Sequence, residues 1–261
     1  MKRNLVFYYY ININNIPDYI YQHLFLLEKY KDIFNGHCII FIATDDKITP
    51  IVESILKSFF NFLPNATLKV VKNHPENRES EYFIEQLELL KSLDNDESIT
   101  FYGHSKGTTY DTDICVLKWL VAMYYFNLET LVTVEKNLES NLFSGVFRVD
   151  IPCPPWVCVD WHYSGTFFWF NTKKLFGLDN WSEFNIDRFS TESFPATKCD
   201  ISSGSLSEDL FNDYTTAMIR YPFNRYDLRY DGYWLGVFNN NVVSDERITE
   251  FHMLVDTLKI K

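Results

Sequence analysis

The first hundred residues alternate between two kinds of apolar pattern, and that alternation leaves few folds open to the chain. Leu5–Ile11 is a short run rich in β-formers, and His37–Ala43 (HCIIFIA) is apolar without a break, as in a strand buried on both faces. Thr67–Val71 and Ser98–Tyr102 are two further strand candidates. Helical patterns lie between them. Pro17–Phe34 carries Ile20, Leu24, Leu27 and Tyr30 at helical spacing. Thr49–Phe62 opens on Thr-Pro, a helix-start signal, and Glu79–Leu93 has acidic residues in its first turn. The order βαβαβαβ predicts an α/β fold with a mostly parallel central sheet flanked by helices. Ligands of such sheets bind beyond the carboxyl ends of the strands. The residues that follow each strand are therefore the first places to look for a site.

The pattern changes in the second half. Asp113–Thr130 reads as a long helix, extended by a second up to about Glu139. Gly145–Asp150 reads as a strand, the Pro152, Pro154 and Pro155 segment as a rigid loop, and Tyr163–Phe170 as one aromatic strand. Gly177–Ser205 is polar and reads as irregular. Asp209–Tyr221 and Glu246–Leu258 are helix candidates, with a strand at Tyr233–Phe238. Nothing repeats, and no low-complexity tract or linker divides the 261 residues, so a single compact domain is expected.

With 46% hydrophobic residues, such a chain can fill a large core without disulfides or metals. Its 23 Phe and 17 Tyr suit either sugar-stacking surfaces or the codon usage of an AT-rich genome. A formal charge of −11 argues against general nucleic-acid binding but leaves room for a basic pocket around one small anion. The five cysteines are odd in number and form no CxxC pair, which predicts free thiols in a reducing, cytoplasmic compartment. The apolar start is short and runs into Asn12, Asn14 and Asn15, so it reads as a first strand rather than a leader. No stretch is long enough to span a membrane.

The fourth strand candidate runs directly into Gly103-His104-Ser105-Lys106-Gly107. Two glycines bracket polar groups. Lys106 supplies a point positive charge for a phosphate, and His104 and Ser105 can donate to anionic oxygens. Spacing alone favours a plain loop, with Lys106 solvated and His104 satisfied in the turn. The five residues also spell G-x-S-x-G, which in a serine hydrolase would make Ser105 the nucleophile, with Asp200 and His252 available in chain order. That elbow needs a helix almost at once, and Thr108-Thr109-Tyr110-Asp111 delays it. Asp45 and Asp46 follow the second strand, where an acidic residue can bond a ribose or base. A turn ahead of Thr49-Pro50 fits the pair slightly better.

FYGHSKG (101–107), WHYSGTFFWFNTKKLF (161–176) and TESFP (191–195), in this order and together with Asn77-Arg78-Glu79, resemble a group of predicted bacterial and viral glycosyltransferases with a GT-A-like fold. The likeness covers roughly residues 70–200, and its specificity lies in the combination of motifs. It implies transfer of a sugar from a nucleotide diphosphate to an acceptor hydroxyl on a glycan, lipid-linked or small molecule. Residues 1–110 would then be the nucleotide-sugar half and 111–261 the acceptor half.

Most GT-A enzymes place a D-x-D motif after this strand to hold a divalent metal on the leaving diphosphate. Here His104-Ser105-Lys106 stands there, which implies a metal-independent site with protein cations, assisted by Arg78. An ion pair of Arg78 with Glu79 or Glu81 is an equal alternative. A literal D-x-D, Asp111-Thr112-Asp113, lies further on; it fits a helix cap better than a Mn²⁺ or Mg²⁺ site, though the metal alternative stands. The resemblance points to Glu192 as the base that takes the acceptor proton, with Asp187 and Glu183 nearby. Trp161, His162, Tyr163, Ser164 and Trp169 would shape the acceptor side. Alternation along that strand requires several of its aromatics to be core. A non-catalytic carbohydrate- or nucleotide-binding protein of this fold is the remaining alternative.

Overall fold

The computed structural model describes residues 1–11, 18–63, 65–94, 97–105, 114–146, 148–149, 159–163, 165–199 and 240–259. Strand β1 (Lys2–Ile11) leads to helix α1 (Asp18–Lys29), β2 (Cys38–Thr44), α2 (Pro50–Ser58) and β3 (Ala66–Lys72). A 3-10 turn (Arg78–Glu81) precedes α3 (Phe83–Leu93) and β4 (Ser98–His104). Helices α4 (Ile114–Leu128) and α5 (Leu131–Ser140) follow, then short strands β5 (Phe143–Gly145), β6 (Arg148–Val149), β7 (His162–Tyr163) and β8 (Phe168–Asn171). Helices α6 (Thr172–Phe176), α7 (Ser190–Lys198) and α8 (Asp245–Lys259) complete the described elements.

The main sheet has the order β3-β2-β1-β4-β8-β5. Strands β1 to β4 are parallel, whereas β8 runs antiparallel to both β4 and β5. The fold is thus α/β with a mixed sheet. The apolar runs of β1 and β2 are buried along their length because helices cover both sides. Leu5, Phe7, Tyr9 and Ile11 face a core shared with α1, α2, α4, α5 and α8. Val6 and Tyr8 face a second core, built with α3, α6 and α7. Each large apolar side chain moved from water into these layers contributes about 1.5–3 kcal/mol.

The amino ends of the strands are sealed. Buried Asn4 donates to Asp94 Oδ2 at 2.6 Å and Ser98 Oγ at 3.0 Å, and its carbonyl accepts from His37 N at 2.8 Å. The carboxyl ends differ in character. The crossover α1 lies on one face and α3 on the other, so β1 and β4 flank the point where the chain's winding reverses. A crevice at such a point is where doubly wound sheets take their ligands.

Three local readings change. Strand β4 continues through Gly103 and His104 instead of ending at Tyr102. The aromatic strand expected over Tyr163–Phe170 is two strands, β7 and β8, because Gly165 (φ 96°) and Thr166 (φ 63°) turn left-handed between them. Part of the segment expected to be irregular is α7. Asp209–Tyr221 and Tyr233–Phe238 lie outside the described residues.

Candidate functional site

The carboxyl ends of β1, β2 and β4 collect the polar side chains on the α3/α7 face. His104 closes β4 opposite Tyr8 of β1. Its Nδ1 lies 3.3 Å from Glu79 Oε1 and its Nε2 3.2 Å from the Gly165 carbonyl oxygen. Both groups are buried, His104 at 7% and Glu79 at 8% exposure. A carboxylate and a carbonyl only accept, so each ring nitrogen faces a protein acceptor. Both nitrogens are thus turned to protein partners, where its sequence position suggested a diphosphate oxygen.

Gly165 carries the network onward. Its N–H donates to Glu192 Oε1 at 2.5 Å, which ties the candidate base in the first turn of α7 to the loop between β7 and β8. Glu192 is half-buried, and its Oε2 accepts no hydrogen bond from a described residue. A Cβ on Gly165 would stand 2.4 Å from Met123 Sδ, so both the positive φ and the packing require glycine here. The floor of α7 is joined to the 3-10 turn by Ser80 Oγ and Thr191 Oγ1, 2.8 Å apart.

Arg78 begins that turn with φ 51°, in the left-handed region that a residue with a side chain adopts at a cost of order 1–3 kcal/mol. The alternative of an ion pair with Glu79 or Glu81 is not realised. Glu79 faces His104, Glu81 Oε2 accepts from Asn77 Nδ2 at 2.7 Å, and Arg78 forms no ion pair with a described residue. Its partly exposed guanidinium is therefore available to a ligand.

Asp45, after β2, accepts from Tyr10 OH at 2.5 Å and from Asn73 Nδ2 at 2.9 Å, and Lys72 Nζ bonds its carbonyl. Tyr8 OH donates to Asn73 Oδ1 at 3.2 Å, and the Tyr8 ring stacks on Tyr82. Burial, with Glu79 adding to it, pushes the Tyr8 phenol well above its ordinary range, so it stays a neutral donor. The same causes act on Tyr102, whose buried hydroxyl has no partner among the described residues.

The other sequence candidates sit elsewhere. Ser105 is 4% exposed; its Oγ accepts from Tyr10 N at 2.7 Å, and its N–H donates to the Tyr8 carbonyl at 2.9 Å. It clamps β4 to β1, and no histidine among the described residues bonds its hydroxyl, as a hydrolase nucleophile would need. Trp169 is 0% exposed on the opposite core, where its indole donates to the Asn127 carbonyl at 2.9 Å. Trp161 and Tyr163 are buried edge-to-face against each other, and His162 is buried in β7. None of these rings offers an open face to a sugar. Lys106, Asp111, Asp113 and Ser164 lie outside the described residues. Among the described residues no group of three His, Cys, Asp or Glu could hold a metal ion, and no helix is long and apolar enough to cross a membrane.

Sequence reasoning named Glu79 only within the Asn77-Arg78-Glu79 motif and as a partner for Arg78, and it did not single out Tyr8, Tyr10 or Asn73. A usable signal existed for the two tyrosines, which occupy the carboxyl end of a strand where ligands gather. No family model matches the chain, and no curated protein matches it.

Proposed function

We propose that the protein is a glycosyltransferase that moves a sugar from a nucleotide diphosphate to an acceptor hydroxyl. The observation that carries this reading is Glu192. One of its oxygens is fixed by the Gly165 amide and the other accepts from no described residue, two links from the end of β4 at the reversal point of the sheet. As the acceptor oxygen attacks the anomeric carbon, the bond from that carbon to the diphosphate breaks and Glu192 takes the hydroxyl proton. Arg78 and Lys106 supply positive charge for the leaving diphosphate, in place of a metal. Asp45, Asn73 and Tyr10 offer paired donors and acceptors to the nucleoside.

A thermal-shift panel of UDP, GDP, CDP and dTDP, each in EDTA and in Mn²⁺, tests the reading. One nucleotide should raise the melting temperature with concentration, because binding lowers the free energy of the native state only. The rise should persist in EDTA. Glu192→Gln should keep that response while turnover falls about 10²- to 10⁴-fold. A panel without any response, or a Glu192→Gln protein that transfers at the wild-type rate, counts against it. Transfer abolished by EDTA and restored by Mn²⁺ would remove the metal-independent part.

A further inference from the structure

Resting on Glu192 as the base, we infer that Glu79 and His104 are its positioning residues, acting through the backbone of Gly165. Three observations converge. The buried Glu79 carboxylate meets His104 Nδ1 at 3.3 Å, the other ring nitrogen meets the Gly165 carbonyl at 3.2 Å, and the Gly165 N–H holds Glu192 Oε1 at 2.5 Å. The loop is poised to transmit this arrangement, since Gly165 and Thr166 both hold positive φ. No other described group tethers the Gly165 carbonyl, so the peptide presented to Glu192 stands where His104 holds it. Glu79 anchors the ring at Nδ1 and so aims Nε2 at the Gly165 carbonyl. Replacing the carboxylate loosens that anchor and lets the ring turn away from the carbonyl. Arg78, strained into the left-handed region immediately before Glu79, sets where that carboxylate enters the core.

The two amide isosteres of histidine separate this role from simple packing. The nitrogen of His104→Gln stands in for Nε2 and reaches the Gly165 carbonyl. The amide of His104→Asn stands in for Nδ1, keeps Glu79 and cannot reach Gly165. The direct readout is the Gly165 amide proton in ¹⁵N-edited spectra of the full chain without ligand. In the wild type it should resonate far downfield, as a short charge-assisted N–H···O⁻ bond requires. The shift should be lost in His104→Asn and Glu79→Gln and retained in His104→Gln. In turnover, His104→Asn and Glu79→Gln should lower kcat about 10- to 100-fold with KM for the donor little changed, since misplacing a reacting group costs that much. A Gly165 resonance that stays downfield in both His104→Asn and Glu79→Gln overturns the inference. Should His104→Asn fail to fold, Glu79→Gln against His104→Gln decides alone. If the resonance behaves as described while the wild type turns over no nucleotide sugar, the positioning chain stands and the transferase reading falls.

Discussion

Gly103 shows how much a single residue's meaning depends on its neighbours across the sheet. In the sequence it opens a glycine-bracketed polar triplet, and its natural reading is room for a ligand. In the fold the space is already taken. A Cβ there would stand 3.0 Å from Phe7 Cε2 and 3.2 Å from Phe167 Cε1, and both rings are fully buried. Neither can move aside without disturbing His23, Tyr124 or Phe101, which pack against them. Overpacking of this kind costs about 1–3 kcal/mol. Gly103→Ala should therefore lower the free energy of unfolding by that amount, seen as a lower urea midpoint, without abolishing nucleotide response. An unchanged midpoint would show that the rings yield. His104 carries the same lesson in the other direction. Beside Lys106 it reads as a phosphate donor, and only the arrival of Glu79 and Gly165 from distant parts of the chain occupies its two nitrogens.

Elements whose identity is written in local chemistry were legible in advance. Helix α2 begins where Thr49-Pro50 signals it, with Thr49 Oγ1 accepting from Val52 N at 3.3 Å. Removing that cap with Thr49→Ala should destabilise the protein by about 1 kcal/mol, read from chemical denaturation. The four parallel strands were legible for a similar reason: runs of strand length rich in β-formers, unbroken and apolar in β2, that alternate with helical patterns admit little else. Elements defined by a backbone reversal were not. The split between β7 and β8 rests on positive φ at Gly165 and Thr166, and a threonine gives no sequence signal for that conformation. The left-handed start of the 3-10 turn at Arg78 was silent for the same reason. These silent reversals are what set Glu79 and Glu192 around His104, so the assembly of the site was harder to read than the sheet beneath it.

At the scale of the whole molecule, the segment before α8 is fastened to the first helix. Gln22 Nε2 donates to the Asn241 carbonyl at 2.8 Å and Gln22 Oε1 accepts from Val243 N at 2.9 Å, while Asn241 Oδ1 accepts from Tyr30 OH at 3.0 Å. Phe251 of α8 stacks on Tyr21 at 4.7 Å. Gln22→Ala removes both of its bonds and leaves the buried Val243 amide unpaired, at about 1–3 kcal/mol for an unsatisfied group. Residues 240–259 should then exchange amide hydrogens faster than the sheet; equal protection in both proteins would show that Tyr21–Phe251 packing suffices. The division of the molecule into two cores has a further consequence for how it tolerates change. On β1 the residues facing α1, α2 and α4 are foundation, and those facing α3 and α7 include Tyr8 and Tyr10 of the site. Chemistry and scaffold are therefore interleaved at a spacing of one residue, like two messages written on alternate letters. Inserting one residue ahead of Phe7 would exchange the messages and bring foundation rings to the crevice, whereas inserting two would keep every letter on its own side.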